Sequence, residues 1–86
     1  MVKKREIMEQ KIRIDRKIGD NLKKLRKQHN LSQERLCAKL QLEGCDIQRS
    51  TYAKYEHGEL NIRASVLIKL TKIYNCNFDA FFEGLE

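Results

Sequence analysis

Apolar residues recur at helical spacing through most of this chain. Ile18, Leu22 and Leu25 fall at i, i+4 and i+7, one stripe, with Lys17, Lys23, Lys24 and Lys27 on the other faces. Asp15 is suited to cap this helix, because its carboxylate can accept from the free amides of the first turn. Gly19 inside the helix costs about 1 kcal/mol relative to alanine, so a closely packed neighbour is expected there. Asn30 marks the stop, since asparagine tolerates the left-handed conformation. Ser32 caps a second helix, with Glu34 in its first turn complementing the dipole and Leu36, Cys37 and Leu40 as its buried edge. Gln41 to Asp46 contain Gly44 and read as a turn. Ile47 to His57 form a third helix, with Tyr52 and Tyr55 on one face, ended by Gly58. Residues 59–62 connect to a fourth helix over 63–75, carrying Leu67, Leu70, Ile73 and Tyr74. A short fifth helix over 78–84 carries Phe78, Phe81 and Phe82.

Residues 1–14 show no single period. Ile12 and Ile14 alternate with charges, as in a short strand, while Met8 and Ile12 lie one helical turn apart. The chain therefore divides into a basic N-terminal arm, 1–14, and one all-α domain, 15–86. With 86 residues there is room for a single domain, and 41% apolar with 35% charged residues suits a globular one. The chain contains no proline, which removes turn signals and favours helices.

Charge changes the picture. The net charge of +6 is uneven: residues 1–27 hold 11 Lys/Arg against 4 Asp/Glu, and residues 28–86 hold 7 against 8. A basic end points to a polyanion partner, most often nucleic acid, although a solvated tail fits the charge alone equally well. No apolar run nears the roughly 20 residues that span a bilayer. No apolar block follows Met1-Val2-Lys3-Lys4-Arg5, so no signal peptide is expected. Three cysteines, Cys37, Cys45 and Cys76, make an odd count without close pairing, so a reducing cytoplasm is expected rather than a disulfide scaffold.

The second and third helices carry the chemistry. The runs Leu31-Ser32-Gln33-Glu34-Arg35-Leu36-Cys37-Ala38-Lys39-Leu40 and Ile47-Gln48-Arg49-Ser50-Thr51-Tyr52-Ala53-Lys54-Tyr55-Glu56-His57-Gly58 resemble a helix-turn-helix. More narrowly, they resemble the phage-repressor/Cro-type (XRE-type) regulators. That family has a polar cap and glutamine opening helix two, a small residue at the helix crossing, and a recognition helix ending in Glu-x-Gly. Leu25-Arg26 before the turn and the ending Tyr74-Asn75-Cys76-Asn77-Phe78-Asp79-Ala80-Phe81-Phe82 match as well, so the resemblance covers about residues 15–86. It implies a five-helix, lambda-repressor-like DNA-binding domain.

The residue types make physical sense beside that likeness. Two helices that cross closely need a small side chain at the contact, and Cys37 stands there as a buried hydrophobe rather than a reactive thiol. Leu36, Leu40, Ile47, Tyr52 and Tyr55 seat the third helix on the core. Gln48, Arg49, Ser50, Thr51 and Lys54 remain on its outer face. Arginine can pair with guanine in bidentate fashion, glutamine with adenine, and serine or threonine with either base or with phosphate. The resemblance implies that Gln33 contacts backbone phosphate and supports the recognition helix. It places Arg49 at the first recognition position, and Ser50 and Lys54 where bases or phosphates are read. Arg26 and Glu56 match a family ion pair. In the arm, Lys3, Lys4, Arg5, Lys11 and Arg13 are expected to supply salt-sensitive affinity for any duplex.

One departure from the family stands out. Six residues, Gln41-Leu42-Glu43-Gly44-Cys45-Asp46, lie between Leu40 and Ile47 where the family has about one glycine plus its flanks. Either the second helix runs on or the turn bulges. Asp46 could help to cap the third helix.

Other functions find less support. The cysteines and His29 and His57 are scattered, without metal-ligand spacing, so neither a metal nor a cofactor is expected. No nucleophile elbow or Gly-rich phosphate loop is present, so an enzyme is not expected. The rival is a protein-interaction module, an antitoxin or adaptor using the aromatic C-terminal end. There Phe78 and Phe81 are expected to close the core, and Phe82 and Leu85 to form a dimer face. The reading is a cytoplasmic, sequence-specific double-stranded DNA-binding regulator, a repressor, with the recognition helix at about 48–57 in the major groove. It acts as a homodimer on a symmetric operator, with no membrane partner, small-molecule ligand or sensor domain expected.

Overall fold

A computed structural model describes residues 17–85. The arm residues Lys3, Lys4, Arg5, Lys11 and Arg13, and the Asp15 cap, lie outside the described residues. Helix α1 is helical over 17–28. It is followed by α2 (Gln33–Leu42), α3 (Arg49–Glu56) and α4 (Ala64–Tyr74), then by a 3-10 turn, Phe78–Phe81. No strand occurs among the described residues.

Helix ends explain how a chain without proline turns so sharply. Asn30 (φ 56°) and Asn75 (φ 51°) stop α1 and α4 in the left-handed conformation. At the end of α2, the Gly44 N–H donates to Gln41 O at 3.0 Å and the Cys45 N–H to Leu40 O at 2.8 Å. This pair of bonds is a Schellman motif, with Gly44 at φ 85° as the reversal residue. It settles the long turn. Helix α2 runs on to Leu42, and its last carbonyls are satisfied before the chain reaches α3.

The core gathers the stripes expected from the sequence. Leu22, Leu36, Leu40, Tyr52, Leu70 and Phe81 are fully buried, joined by Cys37, Tyr55, Val66, Leu67 and Tyr74. Gly19 is where α1 meets the end of α3. A Cβ there would overlap the Glu56 carbonyl oxygen and lie 2.8 Å from the Tyr55 carbonyl oxygen. The close neighbour expected at Gly19 is thus the backbone of the third helix itself.

Three expectations are corrected. The third helix begins at Arg49, not Ile47: Gln48 is extended (φ −79°, ψ 148°), and Ile47 packs on the core ahead of the helix. Asp46 therefore does not cap it. The fifth helix is one 3-10 turn rather than a helix over 78–84. Gly84 turns the chain away at φ 82°, and the Asn21 side-chain amide donates to the carbonyls of Phe81 and Glu83, each at 2.9 Å, which ties this ending to α1. Finally, Phe78 is 47% exposed and leaves Phe81 alone to close the core from that turn.

Candidate nucleic-acid interface

One buried ion pair fixes the recognition helix. Arg26 Nε donates to Glu56 Oε2 at 2.7 Å, and Nη2 donates to Glu56 Oε1 at 3.1 Å. The third arm of the guanidinium, Nη1, donates to Leu31 O at 2.8 Å in the α1–α2 turn. Arg26 is therefore bonded to the α1–α2 turn and to the last turn of α3 at once. The two side chains are 10% and 2% exposed, so both charges are withdrawn from water and each depends on these bonds.

From Glu56 the network runs outward. Gln33 Nε2 donates to Glu56 Oε1 at 3.1 Å, and Arg49 Nη1 reaches Gln33 Oε1 at 3.5 Å. Four residues, Arg26, Glu56, Gln33 and Arg49, thus form a chain from the core to the exposed start of α3. Burial alone would raise the Glu56 carboxyl. The bonds from Arg26 and Gln33 and the charge of Arg26, with the Tyr52 hydroxyl nearby, outweigh it and hold the group below its ordinary value. The hydrogen bond to Glu56 raises Arg26 further above neutrality. Burial pushes the hydroxyls of Tyr52 and Tyr74 upward, so both stay neutral beside this pair. Burial likewise raises the Cys37 thiol, which holds it protonated at the helix crossing.

The outer face of α3 is polar. Gln48, Arg49, Ser50 and Lys54 are exposed and Thr51 is half-buried, while Tyr52, Tyr55 and Glu56 point into the core. The structure brings Gln33 and Arg49 together, and leaves Ser50 and Lys54 exposed to solvent. Sequence reasoning overlooked a cleft on the neighbouring side. It is lined by Gln48, Thr51, Arg63, Ser65 and Lys69 above a floor of Ile47 and Val66. Arg63 precedes the first turn of α4 and Lys69 lies two turns on, so their alignment with α3 depends on how α4 packs, which the sequence does not state. At the far end of the domain Phe82 is 41% exposed and Leu85 half-buried. No group of three or more His, Cys, Asp or Glu that could hold a metal occurs among the described residues. No described helix is long and apolar enough to cross a membrane.

Two short helices, the second locked by its inner face and polar on its outer one, define a DNA-binding helix-turn-helix regulator. The helix-turn-helix family model matches residues 22–81. The chain belongs to that family, in its XRE/Cro-type form. No curated protein and no solved structure matched the chain.

Proposed function

We propose that this protein is a sequence-specific reader of double-stranded DNA that represses transcription, with residues 48–57 lying in the major groove. The observation that carries the reading is the asymmetry of α3. Its inner face is fixed by the Arg26–Glu56–Gln33 network, and its outer face offers Gln48, Arg49, Ser50, Thr51 and Lys54. A base-reading helix needs both properties, because base edges are read only if the side chains arrive in a fixed register. Arg49 and Gln48 suit direct readout of guanine and adenine, while Gln33, Lys54, Ser50 and Thr51 suit bases or phosphates. Arg63 and Lys69 add positive charge on the flank of the same face. Lys3, Lys4, Arg5, Lys11 and Arg13 add sequence-independent affinity from the arm. Repression is favoured because a domain that covers a stretch of duplex excludes other proteins from it.

Homodimerisation on a symmetric operator completes the proposal. Helix-turn-helix dimers bind half-sites about one turn apart, and the exposed rings Phe78 and Phe82, with Leu85 beside them, supply a face. The test is selection of duplexes from a random library by the purified protein, with Arg49→Ala run in parallel. A two-fold symmetric motif is expected, and the variant should lose about 1–3 kcal/mol of discrimination at one position of each half-site. If no motif is enriched, or if Arg49→Ala selects the same motif as strongly, the protein does not read bases through α3. A protein partner at the aromatic end would then be the better reading.

A further inference from the structure

The cleft beside the start of α3 holds about 460 Å³, inside the range of about 300–1,000 Å³ that small-molecule sites occupy. Ile47, Tyr55 and Val66 give it an apolar floor. A backbone phosphate of a duplex needs no such floor, whereas a small molecule with an apolar body does.

The rim has the opposite character. Arg63 and Lys69 line it from α4, and neither forms an ion pair among the described residues. Asp46 is the one carboxylate lining the cleft, and it pairs with neither cation. Two cations therefore stand against one anion, all three unpaired. Lys69 is half-buried, where its charge is screened less than on an open surface. Gln48, Thr51 and Ser65 add side-chain donors. Two helix starts act in the same sense. Neither α3 nor α4 has a side-chain cap bond or an acidic residue in its first turn. Gln48 with Thr51, and Arg63 with Ser65, bring both starts to this cleft. A phosphoryl group matches the set, since it carries about −1.5 to −2 charge and three acceptor oxygens.

We infer that the cleft binds a small phosphorylated molecule, its phosphoryl group between Arg63 and Lys69 and its apolar body on Ile47 and Val66. No such ligand is expected from the sequence, because the two cations meet the start of α3 only through tertiary packing. The occupant covers Gln48 and Thr51 and so competes with DNA. That consequence rests on α3 being the recognition helix; the binding itself does not. An effector site of this kind lies within the DNA-binding domain, against the residues it controls.

The test is amide NMR of the full-length protein without DNA, titrated with phenyl phosphate, inorganic phosphate and phenol at one ionic strength held with chloride. Phenyl phosphate should shift the amides of Gln48, Thr51, Ser65 and Val66 saturably and bind more tightly than inorganic phosphate, while phenol leaves them in place. Arg63→Gln/Lys69→Gln should bind phenyl phosphate at least about tenfold more weakly, the loss of a charge-assisted bond. The Leu36 and Leu40 methyl signals of the core should stay in place in that variant. No saturable shift in the wild type overturns the inference, whatever the variant does. Equal binding of phenyl phosphate and inorganic phosphate overturns it too, because the floor then holds nothing. A final arm adds a random-sequence duplex, which phenyl phosphate should displace. Shifts of these amides by the duplex alone would make the cleft part of the DNA footprint and overturn the inference equally. Saturable phenyl phosphate binding that leaves the duplex in place would uphold the site and count against the orientation of α3.

Discussion

Glu56→Ala is the sharpest perturbation of this fold. The carboxylate is 2% exposed and accepts two bonds from Arg26 and one from Gln33. Truncation leaves a buried guanidinium whose remaining bond among the described residues is to Leu31 O, and leaves the Gln33 amide without its acceptor. Breaking a buried pair on one side costs about 3–5 kcal/mol. Small domains hold only about 5–15 kcal/mol in total. For a domain of this size each kcal/mol moves Tm by about 4–8 °C, so a fall of at least about 12 °C is expected. Thermal denaturation followed by circular dichroism at neutral pH measures it. Two companions separate the pair from mere loss of volume. Glu56→Gln keeps the shape and one acceptor and should lose less. Arg26→Met/Glu56→Leu removes both charges and should be more stable than Glu56→Ala alone, because no unpaired ion stays buried. A Glu56→Ala protein melting within about 2 °C of wild type would refute the reasoning.

The same carboxylate sets a pH dependence. Its folded-state value is depressed, so its contribution is present above the ordinary carboxyl range, near about 4.3, and is lost as pH falls through the folded value. Urea unfolding from pH 7 to pH 3 should show a steeper acid loss in wild type than in Glu56→Gln; parallel curves would assign the loss to other groups. Gly19→Ala gains about 1 kcal/mol of helix propensity but forces a Cβ onto the carbonyls of Glu56 and Tyr55, an overpacking that typically costs about 1–3 kcal/mol. Those oxygens are backbone atoms and cannot rotate away, so net destabilisation in urea is expected, and a more stable variant would contradict the close approach. Deleting residues 1–14 should weaken binding to every duplex and flatten its salt dependence by about 0.9 in log–log slope per lost phosphate contact. An unchanged slope would remove the arm from the interface.

How much of this was legible in the sequence depends on which interactions are local. The stripe Ile18–Leu22–Leu25, the Ser32 cap and the Asn30 stop were readable because each rests on spacing or on the preference of one residue. The cap forms as expected, with the Arg35 N–H donating to Ser32 Oγ at 3.0 Å. The penalty at Gly19 told that something packs closely there, but not that it is the end of α3. The Schellman motif at Gly44 explains the long link, yet from sequence an extended helix and a bulged turn fitted equally. The misses are long-range. Asn21 gives no sequence signal of its own, yet its amide holds two carbonyls of the C-terminal turn, 60 and 62 residues away. Those two bonds tie the aromatic ending to α1 over a separation that no periodicity reveals. Arg63 and Lys69 escaped notice because their relation to α3 is set by tertiary packing, not by any periodicity within α4.

The start of α3 contrasts with the start of α2, and the contrast bears on function. Helix α2 has a serine cap and Glu34 in its first turn, whereas α3 has Gln48 at the cap position with no side-chain bond, no acidic residue in the first turn, and Arg49 at its head. Free amides and a positive side chain at a helix N-terminus are unfavourable in the isolated domain, by about 1 kcal/mol for the missing cap and about 0.3–1 kcal/mol for the charge. Against a DNA backbone the same features become favourable, since a phosphate can accept from those amides and meets the positive end of the dipole. Gln48→Asp should therefore act oppositely on the two properties. Capping should raise Tm by about 4–8 °C, while the added carboxylate weakens binding to all duplexes, more so at low salt. Gln48→Ser supplies a cap without the charge and should stabilise the domain with a smaller loss of affinity. If Gln48→Asp proves more stable and binds DNA as tightly as wild type at low salt, the N-terminus of α3 does not face the phosphates, and the orientation proposed for the recognition helix is wrong.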